Sequence, residues 1–264
     1  MEGVVKRLEE LVSKQVGKPP VGVYAKRFIS ELKRLEDGFF YDNRVSTLFT
    51  DMKNDPLAEL LLTPVIDNVP TNISGAHIHM SKEMEEKLYG SKKPVVLREL
   101  IQPGQYLTDK RVTLKGPYGM VEHLAVLGPA RENAQAELLK KHILNLGYRL
   151  DNVPIRDSGD IRGTPQIQVF NPETNQSYVT ENGLIRAMPH VHLSEKSSLE
   201  SGLLDGNHAL AQVRSISGKY LLCPVTVRVS KNCSDEVHFD KDDAKGYNLP
   251  RDAPTRLYKC QLQF

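Results

Sequence analysis

One short pattern occurs twice in this chain, and it fixes the kind of element that must carry it. Gly75-Ala76-His77-Ile78-His79-Met80-Ser81 returns as Pro189-His190-Val191-His192-Leu193-Ser194, each time in the order His, β-branched residue, His, apolar residue, Ser. His77 and His190, His79 and His192, and Ser81 and Ser194 are each 113 positions apart. In a strand, residues two apart share a face, so each copy sets two imidazoles side by side and turns the β-branched residue to the opposite face. One such pair is an ordinary use of hydrogen-bonded core histidines. Two pairs in register, taking four of the eight histidines, point to zinc or another transition metal, for which neutral imidazoles are usual ligands.

The stretch around these pairs has the texture of many short strands. From Pro64 onward, apolar runs are punctuated by Gly, Pro, Asn and Asp, which predicts strands at 95–97, 111–115, 120–126, 166–170, 177–180, 183–188, 209–215 and 225–229. Gly116-Pro117-Tyr118-Gly119 and Asn171-Pro172-Glu173-Thr174-Asn175 each lie between two of them and read as hairpin turns. Short helices are expected at 82–89 and 195–199, with Ser81 and Ser194 as N-caps. One longer helix is expected at 132–146, introduced by Gly128-Pro129-Ala130-Arg131 and stopped by Gly147. Its first turn, with Arg131, would suit an anion.

The first 68 residues differ. Val4, Val5, Leu8, Leu11, Val12 and Val16 recur at helical spacing opposite Lys6, Arg7, Glu9 and Glu10, and Gly17-Lys18-Pro19-Pro20 ends that helix. Further helical periodicity covers 24–36 and 44–62, so residues 1–68 are expected to form a helical extension before a core at 69–264. The fold class is mainly β with helices (α+β).

The charge balance narrows the function. Thirty-five basic residues against 33 acidic leave a net +2, which disfavours a basic-patch function and nucleic acid. Cys223, Cys233 and Cys260 are widely spaced and fit a reduced, cytoplasmic setting. No run reaches the roughly 20 apolar residues of a membrane span, and the first residues do not read as a signal peptide.

Several motifs together carry a family resemblance. They are His77-Ile78-His79-Met80-Ser81, Gln102-Pro103-Gly104-Gln105-Tyr106, Val112 to Gly119, Leu127-Gly128-Pro129-Ala130-Arg131, Arg156-Asp157-Ser158-Gly159-Asp160 and His190-Val191-His192-Leu193-Ser194. In order and approximate spacing the chain resembles, over about 69–240, the PduL-type phosphate propanoyltransferases, or phosphotransacylases. The resemblance implies two small β-barrels with helical caps, the second formed mainly by about 97–186. It implies reversible conversion of a short acyl-CoA (propanoyl-CoA or acetyl-CoA) and phosphate into acyl-phosphate and coenzyme A. It also implies two zinc ions or other divalent metals, one held by His77, His79 and Glu137 and the other by His190, His192 and His238. Arg131 matches the arginine that contacts phosphate, and Ser158 a serine near it. Homo-oligomers are usual in the family, and an acyl kinase would be the metabolic neighbour. Members inside bacterial microcompartments carry an amphipathic N-terminal helix that meets shell proteins, and residues 4–16 resemble it.

The chain departs from the family at two positions, Ala76 and Pro189, where members commonly have arginine. His123, His142 and His208 match no ligand position and are expected to be structural or surface residues. A non-enzymatic metal-binding barrel used in assembly and a metal-dependent acyl-CoA hydrolase are the alternative readings.

Overall fold

The computed structural model describes residues 62–260 apart from 219 and 232. The helices expected at 4–16 and 24–36, and most of that expected at 44–62, lie outside the described residues. The chain runs β1 (Leu62–Ser74), β2 (His77–Ser81), α1 (Lys82–Tyr89), β3 (Val96–Glu99), β4 (Tyr106–Lys115), β5 (Met120–Arg131), β6 (Gln135–Glu137) and α2 (Lys140–Asn145). It continues through β7 (Ile155–Arg156), β8 (Ile167–Asn171), β9 (Gln176–Thr180), β10 (Leu184–Ala187), β11 (His190–Ser194), α3 (Glu195–Ser201), β12 (His208–Arg214), β13 (Tyr220–Ser230), β14 (Glu236–Asp240), α4 (Lys241–Tyr247) and β15 (Pro254–Cys260). Among the described residues no helix is long and apolar enough to cross a membrane.

Two compact units divide this chain. One holds 62–72, 189–239 and 243–260, and the other 73–188 and 240–242. In the first, six strands close a barrel in the order β1-β14-β11-β13-β12-β15. The register explains how alternation builds it. Val191 lies opposite Val237 on β14 and Val227 on β13, and all three are fully buried. Their neighbours His190, His192 and His238 therefore share the other face. One face of β11 packs the apolar core and the other carries the imidazoles.

The second unit repeats that local arrangement in a nine-stranded sheet, β7-β10-β6-β2-β5-β4-β8-β9, with β3 beside β4. Strand β2 lies parallel to β5 and antiparallel to β6, as β11 lies parallel to β13 and antiparallel to β14. Ile78, opposite Val126 and Ala136, faces the core, which leaves His77 and His79 on the other face. Two barrels were expected from the resemblance; the first is closed and the second is a half-barrel sheet.

Helix α1 forms where its cap places it. Ser81 Oγ accepts from Met84 N, and Met84 and Leu88, four apart on one helical face, are fully buried. Truncating Leu88 to Ala would cost about 2–5 kcal/mol by the usual range for buried leucine. Ser194 caps α3 in the same way, accepting from Ser197 N. The two expected hairpins join β4 to β5 and β8 to β9.

Two expectations are corrected. Residues 62–68 are not helical: they open β1, which pairs with β15. The helix expected at 132–146 survives only as α2, because 135–137 form a strand between β2 and β10. Ala, Glu and Leu favour a helix there by propensity. Yet 134–139 are buried without interruption, which suits an inner strand and not a one-faced helix.

Candidate active site

Glu137 thus reaches the histidines from a strand. Antiparallel pairing sets His77 opposite Glu137 and His79 opposite Gln135. His77 Nε2 lies 3.6 Å from Glu137 Oε2, and the His77 and His79 rings stand edge to face at 5.1 Å. Gly75 O, which can only accept, takes the Nδ1 proton of His77 at 2.9 Å, so Nε2 is the ring nitrogen that faces Glu137. Burial first, then His77 and Arg131, hold the His79 imidazole far below its ordinary pKa, so it is neutral.

Arg131 is not at a helix start, and the expectation of a helix N-terminus for anion binding falls with the helix. It stands at the end of β5, and a register irregularity brings it there. His79 pairs with Leu127 and Ser81 with Arg131, so Gly128-Pro129-Ala130 bulge outward. Glycine is required at that bulge, since a Cβ on Gly128 would lie 2.2 Å from the Tyr106 ring. The guanidinium then donates to His79 Nε2 at 2.9 Å and to Ser158 Oγ at 3.0 Å. Because Arg131 is always a donor, the proton of neutral His79 sits on Nδ1, which is buried without a hydrogen-bond partner.

Gln135, which sequence reasoning missed, joins these groups. Its Nε2 donates to Glu137 Oε1 at 2.8 Å and to Ser158 Oγ at 2.7 Å, while its Oε1 accepts from Gly159 N at 2.7 Å. His77, His79, Glu137, Arg131, Gln135 and Ser158 are therefore one connected cluster within the second unit.

The second set lies within the barrel unit. His190 pairs across β14 with His238, and the three rings of His190, His192 and His238 are 4.8–5.0 Å apart. Burial first, then His238 and Arg228, push His192 down to about 3. Glu236 Oε2 accepts from His238 Nε2 in a short contact and from Asn72 Nδ2 at 3.1 Å. It, too, was missed, although a period of two would have placed it on the face of His238.

Both sets fit a divalent transition metal by their chemistry. In each, three donor atoms lie within 4.8 Å of one another: two imidazoles and a carboxylate in one, three imidazoles in the other. His79 and His192 are held neutral, the form that ligates. His123, His142 and His208 join neither set among the described residues. Ala76 packs against the apolar core of its unit, and Pro189 O accepts from Thr226 N.

Residues 70–250 match the family model described as phosphate propanoyltransferase. The chain belongs to the phosphate propanoyltransferase family. Its relatives include the phosphate propanoyltransferase of Thermotoga maritima, 36% identical over 178 residues, covering 67% of this chain and 82% of that protein. That of Alkaliphilus metalliredigens is 35% identical over 176 residues, covering 66% and 80%. That of Levilactobacillus brevis is 31% identical over 194 residues, covering 74% and 90%. As a phosphate propanoyltransferase family member, the chain is an enzyme of the acyltransferase class. The matched span contains both histidine sets, Arg131 and Ser158.

Proposed function

We propose that this enzyme transfers a short acyl group, propanoyl or acetyl, reversibly between coenzyme A and phosphate. His77, His79 and Glu137 would hold one zinc or similar divalent ion, and His190, His192 and His238 a second. The observation that carries the reading is the Arg131 guanidinium held by Ser158 beside the first donor set. Phosphate is an anion with paired oxygens, and a planar fork of N–H donors matches it better than any other side chain.

In the forward direction a phosphate oxygen attacks the thioester carbonyl carbon. A C–O bond forms, the C–S bond breaks, and the sulfur leaves as the thiolate of coenzyme A. Arg131 holds the attacking phosphate, and Ser158 and Gln135 hold the guanidinium and Glu137 in place, so positioning and charge are the protein's part of the rate. A bound divalent ion supplies Lewis acidity, worth several kcal/mol against the developing oxyanion, and favours thiolate over thiol. Phosphate is already ionised near neutral pH, so no side chain has to act as its base.

Metal-loaded protein incubated with propanoyl-CoA and phosphate should release thiol and form acyl-phosphate in equal amounts. Thiol release that does not need phosphate would make the enzyme a hydrolase. Background release with zinc bound would leave a metal-binding barrel and refute the reading. Packaging by residues 4–16 belongs to the same proposal. Deletion of residues 1–20 should abolish co-assembly with shell proteins and leave turnover intact.

A further inference from the structure

The two donor sets share a feature that lies outside the donors themselves. In each, the third donor is preceded two residues earlier, on the same strand face, by a buried polar side chain that sits opposite the second histidine of the pair. Gln135 pairs with His79, and Glu236 with His192. Their exposures are only 2% and 4%. Each bonds the third donor of its own set, and the senses are opposite. Glu137 is a carboxylate and receives an amide N–H from Gln135, whereas His238 is an imidazole and gives its Nε2 proton to the carboxylate of Glu236.

These bonds choose atoms. The Gln135 amide cannot be turned over, because Gly159 N is only a donor and fixes Oε1 at 2.7 Å, which sends Nε2 toward Glu137. It takes Glu137 Oε1 at 2.8 Å and leaves Oε2 directed at His77 Nε2. Glu236 is anchored by Asn72 Nδ2 at 3.1 Å, and by accepting from Nε2 it sets the His238 tautomer in which Nδ1 carries the lone pair.

We propose that Gln135 and Glu236 are matched positioning residues, each fixing by hydrogen bond the atom its third donor presents to a divalent transition metal: Oε2 of Glu137 and Nδ1 of His238. The inference rests on the metal reading of the two sets. Outer partners of this kind orient a ligand, an acceptor such as Glu236 also raises the basicity of its imidazole, and their loss weakens metal binding about 10- to 100-fold. The two are not interchangeable, since a carboxylate ligand requires a donor and a neutral imidazole an acceptor.

The test uses the full chain stripped of metal and titrated with Zn²⁺ against a chromophoric chelator. Wild type should bind two ions. Gln135→Met, which keeps the volume and removes the donor, should weaken one of them about 10- to 100-fold, and Glu236→Ala the other. Glu236→Gln should recover much of the loss, because an amide oxygen still accepts from Nε2. Nitrogen NMR of ¹⁵N-histidine-labelled, metal-free protein gives a readout that packing alone would not move. His238, assigned with His238→Gln, should be protonated at Nε2 in wild type and in Glu236→Gln, and become a tautomer mixture in Glu236→Ala. Unchanged affinity in Gln135→Met would overturn the Gln135 assignment. Unchanged affinity in Glu236→Ala, or an Nδ1-protonated His238 in wild type, would overturn that of Glu236. Failure of wild type to bind Zn²⁺ would instead remove the metal reading, while the tautomer result would still judge Glu236.

Discussion

Replacing Arg131 by Ala should separate the two substrates. Its guanidinium donates to Ser158 Oγ at 3.0 Å, a bond that leaves the His79 lone pair to a metal, so the fork is oriented before phosphate arrives. A hydrogen bond to a charged partner contributes about 1.5–3 kcal/mol, and about 1.4 kcal/mol is a factor of ten. Losing one such bond to phosphate should therefore raise KM for phosphate about 10- to 150-fold. The acyl-CoA carries no part of this contact, so its KM should move by less than about twofold on the same reasoning. Arg131→Lys keeps the charge as a single-point donor and should fall between Ala and wild type. Initial rates of thiol release, with each substrate varied while the other saturates, give both constants. A thermal melt checks the fold, since His79 and Ser158 each lose a partner. Equal increases in both KM values, or an unchanged KM for phosphate in a folded variant, would refute the assignment.

His77→Ala should lower bound zinc from two ions per chain to one, and His190→Ala should remove the other; elemental analysis after gel filtration decides, and two ions retained in either variant would exclude that donor set. Gly183 has φ 137°, and an added Cβ would lie 2.5 Å from Ile167 Cδ1 and 2.7 Å from Ala134 O. Gly183→Ala should thus destabilise the chain by roughly 2–4 kcal/mol in chemical denaturation, and a loss under about 0.5 kcal/mol would contradict the packing. His142 is held below its ordinary pKa, by burial first and then Lys141, with Asp242 opposing and Lys241 adding to the shift. The unfolded chain then takes up that proton first, so stability is fully present above about pH 6.5 and falls as pH drops below it. His142→Asn should flatten the pH dependence of the melting temperature in that window, and an unchanged slope would argue against a half-buried neutral imidazole.

Legibility in the sequence followed the range of the interactions involved. The β-branched residue inside each His-x-His pair pointed to a two-faced strand, and Ile78 and Val191 are indeed fully buried beneath the imidazoles. Ser81 and Ser194 were legible as caps because a cap bond spans three residues. The segment 132–146 misled for the opposite reason. Its helix-forming composition is a local preference of tenths of a kcal/mol per residue, and it lost to pairing with β2 and β10 on either side. That error hid Gln135, since a helix would not have put 135 and 137 on one face.

By itself, then, the sequence determined the two imidazole-bearing strands, their caps, the hairpins and the family motifs, all set by spacings of a few residues. Only the tertiary structure decided that the first pair meets Glu137 across an antiparallel strand, that a bulge at Gly128-Pro129-Ala130 delivers Arg131 to His79, and that Gln135 and Glu236 hold the third donors. The reason is register. A strand's own residues fix which of its side chains share a face, but its partner and alignment depend on segments 50 or more positions away, as His77 with Glu137 shows.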